Sequence, residues 1–372
     1  MEQTPTSQTH RILVVNPRTC FTKIAVYDNN RLVYLNKINH SAHDCGKFKS
    51  ILDQYEFRRD AILKDLETAD IDTWRITAVV GRGGYLKPLE SGIYEVNEQM
   101  KHDLIHNPAG QDSVNLGALL VDEIAKKLGT AKPYITNPIV VDELDEIARV
   151  SGHPLFPRRS VFHALNQKFI ARRFARQNSK PYEEMNLIVA HIGMAISVGA
   201  HKNGRVVDVN QAFDGYGPFS PKRAGTLPAG ELVRMCYSGQ HTREEMERMV
   251  MGDGGMAAWF GTDDVQKIEQ MAFEQGNEQA RVVYEAMAYN TAKEIAALSV
   301  VFNGKPDAIL LTGGIAHSNR FVQLVIDRVR FVAPVHVFPG GDGIEAMAMN
   351  VLAALKGERP IKQYNPLVSS EQ

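Results

Sequence analysis

The sequence contains few cysteines and has no long apolar run. Only Cys20, Cys45 and Cys236 occur in 372 residues, and no two of them form a CxxC pair. This spacing argues against a disulfide framework or a zinc site and favours a reducing, cytoplasmic compartment. No segment approaches the roughly 18 consecutive apolar residues of a membrane span, and residues 1–10 lack the basic and apolar stretches of a secretory signal. We therefore expect no membrane association.

The sequence also lacks an excess of charge of either sign. Lys and Arg number 42 against 43 Asp and Glu, which gives a formal net charge of -1. Without a basic field we expect no binding to nucleic acid or to an anionic membrane, so any anion must be bound by local groups. Hydrophobic residues make up 44% and charged residues 23%, as in a globular protein with a large core. The length predicts two or three domains, of which we favour two.

A pattern of strand, polar loop and hairpin occurs twice. In residues 11–39, apolar alternation on both sides of residues 28–30, Asp-Asn-Asn, is typical of a hairpin, because Asn and Asp tolerate the positive φ of its turn. Residues 187–209 repeat the order, with the turn Lys-Asn-Gly at 202–204. Each copy is expected to form its own sheet. The loops at 16–23 and 191–197 are then expected to line a cleft between the sheets.

Further helices and strands follow from apolar periodicity and turn signals. Helices are predicted over 47–66, over 115–129, from an N-cap at Ser160, over 277–302 and over 344–357. Strands are predicted over 76–80, 136–141, 308–314 and 335–341. This order predicts an α/β protein in which helices cover mixed sheets.

Five segments carry a resemblance to a known family. They are NP....TK (16–23), VVGRGGYLKPLESGIYEVNE (79–98), FHALNQKFIARR (162–173), GPFSPKRAGTLP (217–228) and LTGGIAHS (311–318). In this order, over nearly the whole chain, they closely resemble butyrate kinase, which belongs with acetate kinase to the larger group of sugar kinases, actin and heat-shock chaperone ATPases. The resemblance implies a two-lobed, duplicated ribonuclease-H-like fold with a central nucleotide cleft. It implies an N-terminal lobe of residues 1–155 with 346–372 and a C-terminal lobe of residues 156–345.

The resemblance also implies an activity. Such a kinase moves a phosphoryl group between ATP and a short-chain carboxylate such as butyrate, with Mg²⁺, and forms an acyl phosphate and ADP. Phosphoryl transfer requires alignment of the two reactants and neutralisation of the charge on the moving group. The family forms homodimers, and the helix at 279–301 is a candidate contact surface, although core burial explains its apolar face equally well.

Four residues match the family's catalytic positions: Arg82, Asp142, His163 and Arg223. An arginine presents a planar fork that binds phosphate or carboxylate, and glycines flank Arg82 on both sides. Against these roles, most arginines are solvated, a lone helical histidine is usually structural, and Asp142 would also serve as the N-cap of a following helix. By the same resemblance, the nucleotide and its phosphates contact Asn16, Thr19, Lys23, His191, Gly193, Gly313, Gly314 and Ile315, and Mg²⁺ is held by Asn16 and Asp142. Outside the family pattern, Asn16 would be a turn residue and Lys23 a surface lysine.

Three segments depart from the family pattern. The first loop is NPRTCFTK where the family has NPGSTSTK, the second is HIGMAIS instead of HLGGGIS, and residues 339–348 are PGGDGIEAMA instead of PGEDEMEALA. A Cβ costs about 1–2 kcal/mol in the left-handed conformation that glycine permits in a phosphate loop, and it blocks approach to the anion. We therefore expect strain at Met194 and Ala195 and impaired contact with the phosphates. The loss of acidic side chains at Gly341 and Gly343 is expected to weaken the hold on Mg²⁺.

Two compensations and three functions remain open. Arg18 would bring a cation toward the phosphates, and Glu345 would supply a carboxylate near the lost ones. The chain is then an active carboxylate kinase, a catalytically impaired binding or regulatory protein with a kinase fold, or an enzyme that uses another phosphoryl donor such as pyrophosphate. Consumption of ATP that depends on both the acid and Mg²⁺ distinguishes the first from the others.

Overall fold

A computed structural model describes residues 9–106, 113–341 and 343–365. The chain divides into two compact units. Unit 1 comprises Met1–Val141 and Gly343–Gln372, and unit 2 comprises Asp142–Asp342. No helix in the part of the chain that the structure describes is long and apolar enough to cross a membrane.

The elements are numbered in chain order. The strands are β1 (Arg11–Pro17), β2 (Phe21–Asp28), β3 (Arg31–Asn39), β4 (Ile76–Arg82), β5 (Ile93–Glu95), β6 (Lys132–Thr136), β7 (Leu187–Ile192), β8 (Ile196–Lys202), β9 (Arg205–Val209), β10 (Ala308–Gly313), β11 (Val335–Pro339) and β12 (Ile361–Gln363). The helices are α1 (Ala42–Cys45), α2 (Tyr55–Thr68), α3 (Glu98–His106), α4 (Leu116–Leu128), α5 (Glu146–Arg149), α6 (Ala164–Gln177), α7 (Ala229–Cys236), α8 (Arg243–Val250), α9 (Met256–Phe260), α10 (Val265–Phe273), α11 (Glu278–Leu298), α12 (Asn319–Val329) and α13 (Ile344–Leu355).

Unit 1 contains a mixed sheet in the order β12-β5-β6-β4-β1-β2-β3. Strand β1 pairs antiparallel with β2 and parallel with β4, and β3 completes the antiparallel meander. All seven residues of β1 are buried, which explains the apolar run ILVV at residues 12–15. Helices α4 and α13 pack on β1 and β4.

Unit 2 repeats this arrangement in a sheet of order β11-β10-β7-β8-β9. Strand β7 pairs antiparallel with β8 and parallel with β10, as β1 does with β2 and β4. One face packs against α11 and α12, and the other packs against α6. The duplication expected from the sequence is therefore confirmed, and so are its two hairpins, whose turn residues Asn29 and Asn203 have φ of 53° and 52°.

Helix α11 uses its apolar face within unit 2. Its residues Tyr284, Met287 and Ile295 are fully buried and belong to the core of that unit. Core packing therefore accounts for the buried face of this helix, whereas Val282, Tyr289 and Val300 of the segment 279–301 are exposed, and a dimer contact there stays a prediction.

Three predicted boundaries were wrong, each for a local reason. Residues 47–54 do not form the first turns of α2, because the side chains of Ser50 and Asp53 each bond the other's backbone amide and hold a separate 3-10 turn. The strand predicted over 136–141 is instead β6, which ends at Thr136, because Asn137 adopts a φ of 40° and a proline without an amide donor follows. Helix α6 begins at Ala164 with His163 as its N-cap, not at Ser160.

Candidate functional site

Three of the predicted residues lie at one edge of the unit 1 sheet. The register of β1 and β2 pairs Asn16 with Lys23 directly across the strands. Val15 is level with Gly81 in the parallel pair β1 and β4, so the following residues, Asn16 and Arg82, lie at the carboxyl ends of neighbouring strands. Carboxyl ends of strands are where ligands bind in open α/β sheets. Asn16 is buried, whereas Lys23 and Arg82 are half-buried.

The loop between β1 and β2 is a tight turn that is stabilised by a buried arginine. The amide of Arg18 donates to the carbonyl of Phe21 at 2.8 Å, and Thr19 is exposed in the turn. The guanidinium of Arg58, on α2, is fully buried and donates to the carbonyls of Arg18 at 2.7 Å and Thr19 at 2.9 Å. Burial lowers the pKa of Arg58. Carbonyls that would otherwise be unsatisfied under the loop are thus bonded, and the shape of the turn is fixed.

The glycines around Arg82 serve close packing. A Cβ at Gly81 would lie 2.7 Å from the carbonyl oxygen of Gly117 on α4. At Gly84 it would lie 2.3 Å from Oδ1 of Asn115, which accepts the amide of Tyr85 at 2.8 Å. The glycines therefore let α4 and its preceding turn approach the strand end that carries the arginine, rather than leaving open space around the guanidinium.

Asp142, the first residue of unit 2, carries an ion pair. Its Oδ2 accepts from Arg149 at 2.7 Å, and its Oδ1 accepts the amide of Leu144 at 3.2 Å. The N-cap of α5 is Asp145, so the capping role considered for Asp142 was wrong. The carboxylate is held in a defined orientation with a compensating cation.

Unit 2 brings four aromatic and cationic groups into one row. The imidazole rings of His163 and His191 stack with centroids 3.8 Å apart and planes inclined by 14°. The ring of Phe213 lies 5.8 Å from that of His163, and the Arg223 guanidinium carbon lies 5.8 Å above the centroid of Phe213. His163, predicted as catalytic, and His191, a predicted phosphate contact, are therefore in direct contact, and Phe213 connects them to Arg223.

The altered second loop is not strained. None of residues 16–23 or 191–197 has a positive φ, so the strain expected at Met194 and Ala195 was wrong. The turn closes with a bond from the amide of Gly193 to the carbonyl of Ala195 at 3.2 Å, and the Met194 side chain is 49% exposed. Ser220 joins this turn to the loop of Arg223, because its hydroxyl donates to the Met194 carbonyl at 2.7 Å and accepts the Arg223 amide at 3.1 Å.

The end of β10 approaches the end of β7 very closely. Gly313 has φ 96° and ψ 173°, and a Cβ there would lie 2.3 Å from the carbonyl oxygen of Ile192. Gly314 begins a short 3-10 turn, is exposed, and would place a Cβ with no heavy atom within 4 Å. Ile315 is buried beneath that turn. Gly314 therefore presents backbone with open space in front of it.

The two glycines that replace acidic residues also have structural reasons. A Cβ at Gly341 would lie 2.8 Å from Cε1 of His191, so a larger residue would displace the stacked ring. Gly343 is the N-cap of α13 with a left-handed φ of 76°, where glycine is favoured. Glu345, in the first turn of α13, is exposed.

Sequence reasoning missed residues that hold the predicted ones in place: Arg58, Asn166, Gln167, Ser197 and Phe213. For Asn166 and Gln167 a signal was present, since they follow His163 by three and four residues in a helical segment and so lie on its side of the helix. For Arg58 and Phe213 no local pattern exists, because their contacts are with segments distant in sequence.

The site residues do not form a resident metal centre. Among residues 9–106, 113–341 and 343–365, no cluster of three His, Cys, Asp or Glu side chains could hold an ion. Asp142, one of the two predicted ligands, is already compensated by Arg149. Mg²⁺ usually binds proteins through one or two carboxylates together with waters and substrate phosphates. This donor set therefore fits a metal that arrives on a nucleotide better than one held by the protein alone.

Comparisons with known proteins show the family of the chain. The sequence model of the acetokinase family matches residues 151–349. The chain is 46% identical over 354 residues to a probable butyrate kinase of Bacteroides thetaiotaomicron, which covers 95% of this chain and 99% of that protein. It is 44% identical, with the same coverage, to butyrate kinase 2 of Clostridium acetobutylicum. The crystal structure of acetate kinase from Porphyromonas gingivalis superposes with a TM-score of 0.73 at 17% identity, over 93% of this chain and 100% of that one.

Proposed function

Because the chain belongs to the acetokinase family and is a carboxylate kinase, we propose that it transfers a phosphoryl group between ATP and butyrate or a similar short-chain acid. The observation that carries the proposal is the row of Arg223, Phe213, His163 and His191 in unit 2. In this row the ring of Phe213 contacts both the Arg223 guanidinium and the His163 imidazole, each at 5.8 Å. Phosphoryl transfer depends on this kind of preorganised donor, because the moving group carries its charge on three oxygens.

In this proposal the catalytic residues divide between charge neutralisation and positioning. Arg82 and Arg223 bind the oxygens of the transferring phosphoryl group, and the imidazole of His163 donates a hydrogen bond to it. Asp142, fixed by Arg149, orients the acceptor.

The nucleotide is assigned to two regions. The adenosine lies against Gly313, Gly314 and Ile315, which is supported by the open space in front of Gly314. The phosphates contact the loops that contain Asn16, Thr19 and Lys23 and, in unit 2, His191 and Gly193. Asn16 and Asp142 are the proposed protein contacts of a nucleotide-bound Mg²⁺, which would supply positive charge at the phosphates.

The hypothesis that the chain is a catalytically impaired binding or regulatory protein is not favoured. It was based on three departures from the family pattern; for the second of them, the expected strain is absent, since neither Met194 nor Ala195 adopts a left-handed conformation. Extensive identity with butyrate kinases of nearly the same length adds to this argument.

We also propose a cytoplasmic homodimer. Cys20, Cys45 and Cys236 are free thiols, as expected in a reducing compartment. The exposed apolar residues Ile147, Val150, Leu155 and Phe156 lie close together in sequence on unit 2 and are a candidate contact surface. We expect light scattering of the purified protein to give the mass of a dimer; the mass of a monomer would contradict this proposal.

The activity is tested by trapping the acyl phosphate with hydroxylamine. We expect hydroxamate to form from butyrate only when ATP and Mg²⁺ are both present. Arg223→Ala should lower kcat by about 10²–10³, the loss typical of removing one donor to a transition-state oxyanion. Arg243→Ala, at an arginine on α8 whose side chain is 85% exposed, is the matched control and should leave kcat unchanged. No hydroxamate from any short acid at high enzyme concentration would refute the proposal.

A further inference from the structure

The imidazole of His163 takes part in a buried network of hydrogen bonds. Its Nδ1 lies 2.8 Å from the hydroxyl oxygen of Ser197 on β8. The side-chain nitrogen of Gln167 lies 2.8 Å from the same hydroxyl oxygen and 3.0 Å from the Ser197 carbonyl oxygen. Ser197 and Gln167 are both fully buried. Water therefore does not compete for these bonds.

Which group donates and which accepts in each hydrogen bond follows from the chemistry of the groups. The Ser197 carbonyl only accepts, so the group of Gln167 that faces it must be the NH₂. That NH₂ also donates to the Ser197 hydroxyl, which accepts the backbone amide of His163 at 3.4 Å as well. The single hydroxyl proton of Ser197 is therefore left to be donated to Nδ1 of His163. An imidazole that accepts at Nδ1 carries its proton on Nε2.

The other end of Gln167 is held in the same way. Its Oε1 lies 3.0 Å from Nε2 of His201, and Nδ1 of His201 lies 2.8 Å from the hydroxyl of Tyr182. Because an amide oxygen only accepts, His201 donates from Nε2 and accepts from Tyr182. His201 is fully buried, and this burial lowers its pKa well below the usual value, so the ring is neutral as the pattern requires. Gly199 leaves room for the amide, since a Cβ there would lie 2.5 Å from Oε1 of Gln167.

The neighbouring ring has the opposite tautomer. Nδ1 of His191 lies 2.7 Å from Oδ1 of Asn166, an acceptor, so His191 carries its proton on Nδ1. Two imidazolium cations stacked at a centroid distance of 3.8 Å would repel each other, so the doubly charged pair is disfavoured. His191 therefore serves as an internal reference for His163.

We propose that Gln167 and Ser197 are positioning residues that hold His163 as the neutral Nε2–H tautomer, so that Nε2–H is the donor presented to the transferring phosphoryl group. The inference rests on the proposed function for its consequence, but the tautomer itself is a property of the free protein. A side chain that had to rotate or shift its proton would lose part of the advantage of preorganisation. The direction of these hydrogen bonds avoids that loss, because the Ser197 hydroxyl fixes both the orientation of the His163 ring and the position of its proton.

The tautomer is measured by long-range ¹H–¹⁵N correlation of protein labelled at histidine nitrogens. The His163 signals are those that disappear in His163→Asn. We expect the shift pattern of a ring protonated only at Nε2 at neutral pH, beside the Nδ1–H pattern of His191. A His163 ring protonated at Nδ1, or at both nitrogens, would overturn the proposal whether or not the protein turns over butyrate. Absence of hydroxamate with the expected tautomer would instead refute the proposed function alone.

Variants separate positioning from general damage. Ser197→Ala and Gln167→Met should each mix the two tautomers of His163 while the His191 pattern is unchanged, which also reports that the fold is intact. Each should lower kcat by about tenfold, less than the 10²–10³ loss from a direct donor, and leave KM for ATP nearly unchanged. The double variant should lose little more than either single one, because both act through one hydrogen bond.

Thr291→Val is the matched control, since it removes a buried hydroxyl of the same unit that bonds only the carbonyl of Met287 within its own helix. It should alter neither the His163 pattern nor kcat. Equal loss of kcat in Thr291→Val, or a pure Nε2–H pattern retained in both Ser197→Ala and Gln167→Met, would overturn the positioning role.

Discussion

Gly313 and Gly314 are adjacent, but a methyl group added to each should have opposite consequences. Gly313 has φ 96° and ψ 173°, a region that is essentially restricted to glycine, and its new Cβ would lie 2.3 Å from the carbonyl oxygen and 2.7 Å from the nitrogen of Ile192. These atoms belong to backbone in the buried strand β7 and cannot rotate away. Gly314 has no positive φ and no atom within 4 Å of the added carbon.

The cost at Gly313 has two parts. Holding alanine in this backbone conformation costs about 1–3 kcal/mol, and forcing two packed backbones apart costs about another 1–3 kcal/mol. For a domain of this size, 1 kcal/mol corresponds to roughly 2–4 °C in Tm, so Gly313→Ala should unfold about 5–20 °C below the wild type. Gly314→Ala should keep or slightly raise Tm, because replacing glycine at a compatible site stabilises by about 0.4–1 kcal/mol.

The same pair of variants tests the assignment of the adenosine. If the nucleotide approaches the backbone at Gly314, the methyl group occupies its space, and KM for ATP should rise by about tenfold, or about 1.4 kcal/mol, while Tm is maintained. Thermal unfolding by circular dichroism and initial rates at varied ATP give both quantities. Equal Tm in the two variants would refute the packing argument, and an unchanged KM in Gly314→Ala would refute the nucleotide assignment.

Three further predictions concern the two loops and the support of the first. Met194→Gly should give no gain in kcat, because Met194 has no positive φ and its side chain is half exposed; a tenfold gain would restore the view that this residue obstructs the loop. Arg58→Met should lower the free energy of unfolding by about 3 kcal/mol, because the hydrogen bonds from the charged guanidinium to the carbonyls of Arg18 and Thr19 are lost. It should also raise KM for ATP. An unchanged free energy of unfolding in denaturant would contradict the supporting role of Arg58. Burial, with the Arg58 charge nearby, lowers the pKa of His40 from 6.5 to about 4. The unfolded chain therefore binds more protons than the folded one in this range, and the free energy of unfolding should fall as pH is lowered from 6.5 to 4. His40→Gln should flatten this dependence on pH, and an identical slope in the variant would contradict the assignment.

The duplicated framework could be predicted because its signals are local. Both hairpins are marked by Asn residues with positive φ, and both central strands are continuously apolar since they are buried on two faces. The wrong predictions of helix and strand boundaries lie where contacts with distant segments determine the local structure. Residues 160–162 continue the apolar pattern of α6, but the carbonyl of Val161 instead accepts the amide of Ala212, so the helix begins later.

For the candidate site, the sequence proposes residues but does not give their geometry. The family resemblance indicated His163, His191 and Arg223, while their stacking through Phe213 depends on segments far apart in the sequence. The departure at Gly341 was interpreted as a lost carboxylate. The close approach of the His191 ring, which a Cβ would meet at 2.8 Å, could not be inferred from sequence spacing.

The central claim is that this chain, with its altered loops, remains an active carboxylate kinase. The most direct measurement is formation of ATP from butyryl phosphate and ADP in the presence of Mg²⁺, followed by luminescence. We predict one ATP for each butyryl phosphate consumed, with strong loss in both Arg82→Ala and Arg223→Ala. Calorimetric binding of ADP without any ATP formed, at enzyme concentrations comparable to the substrate, would contradict the account.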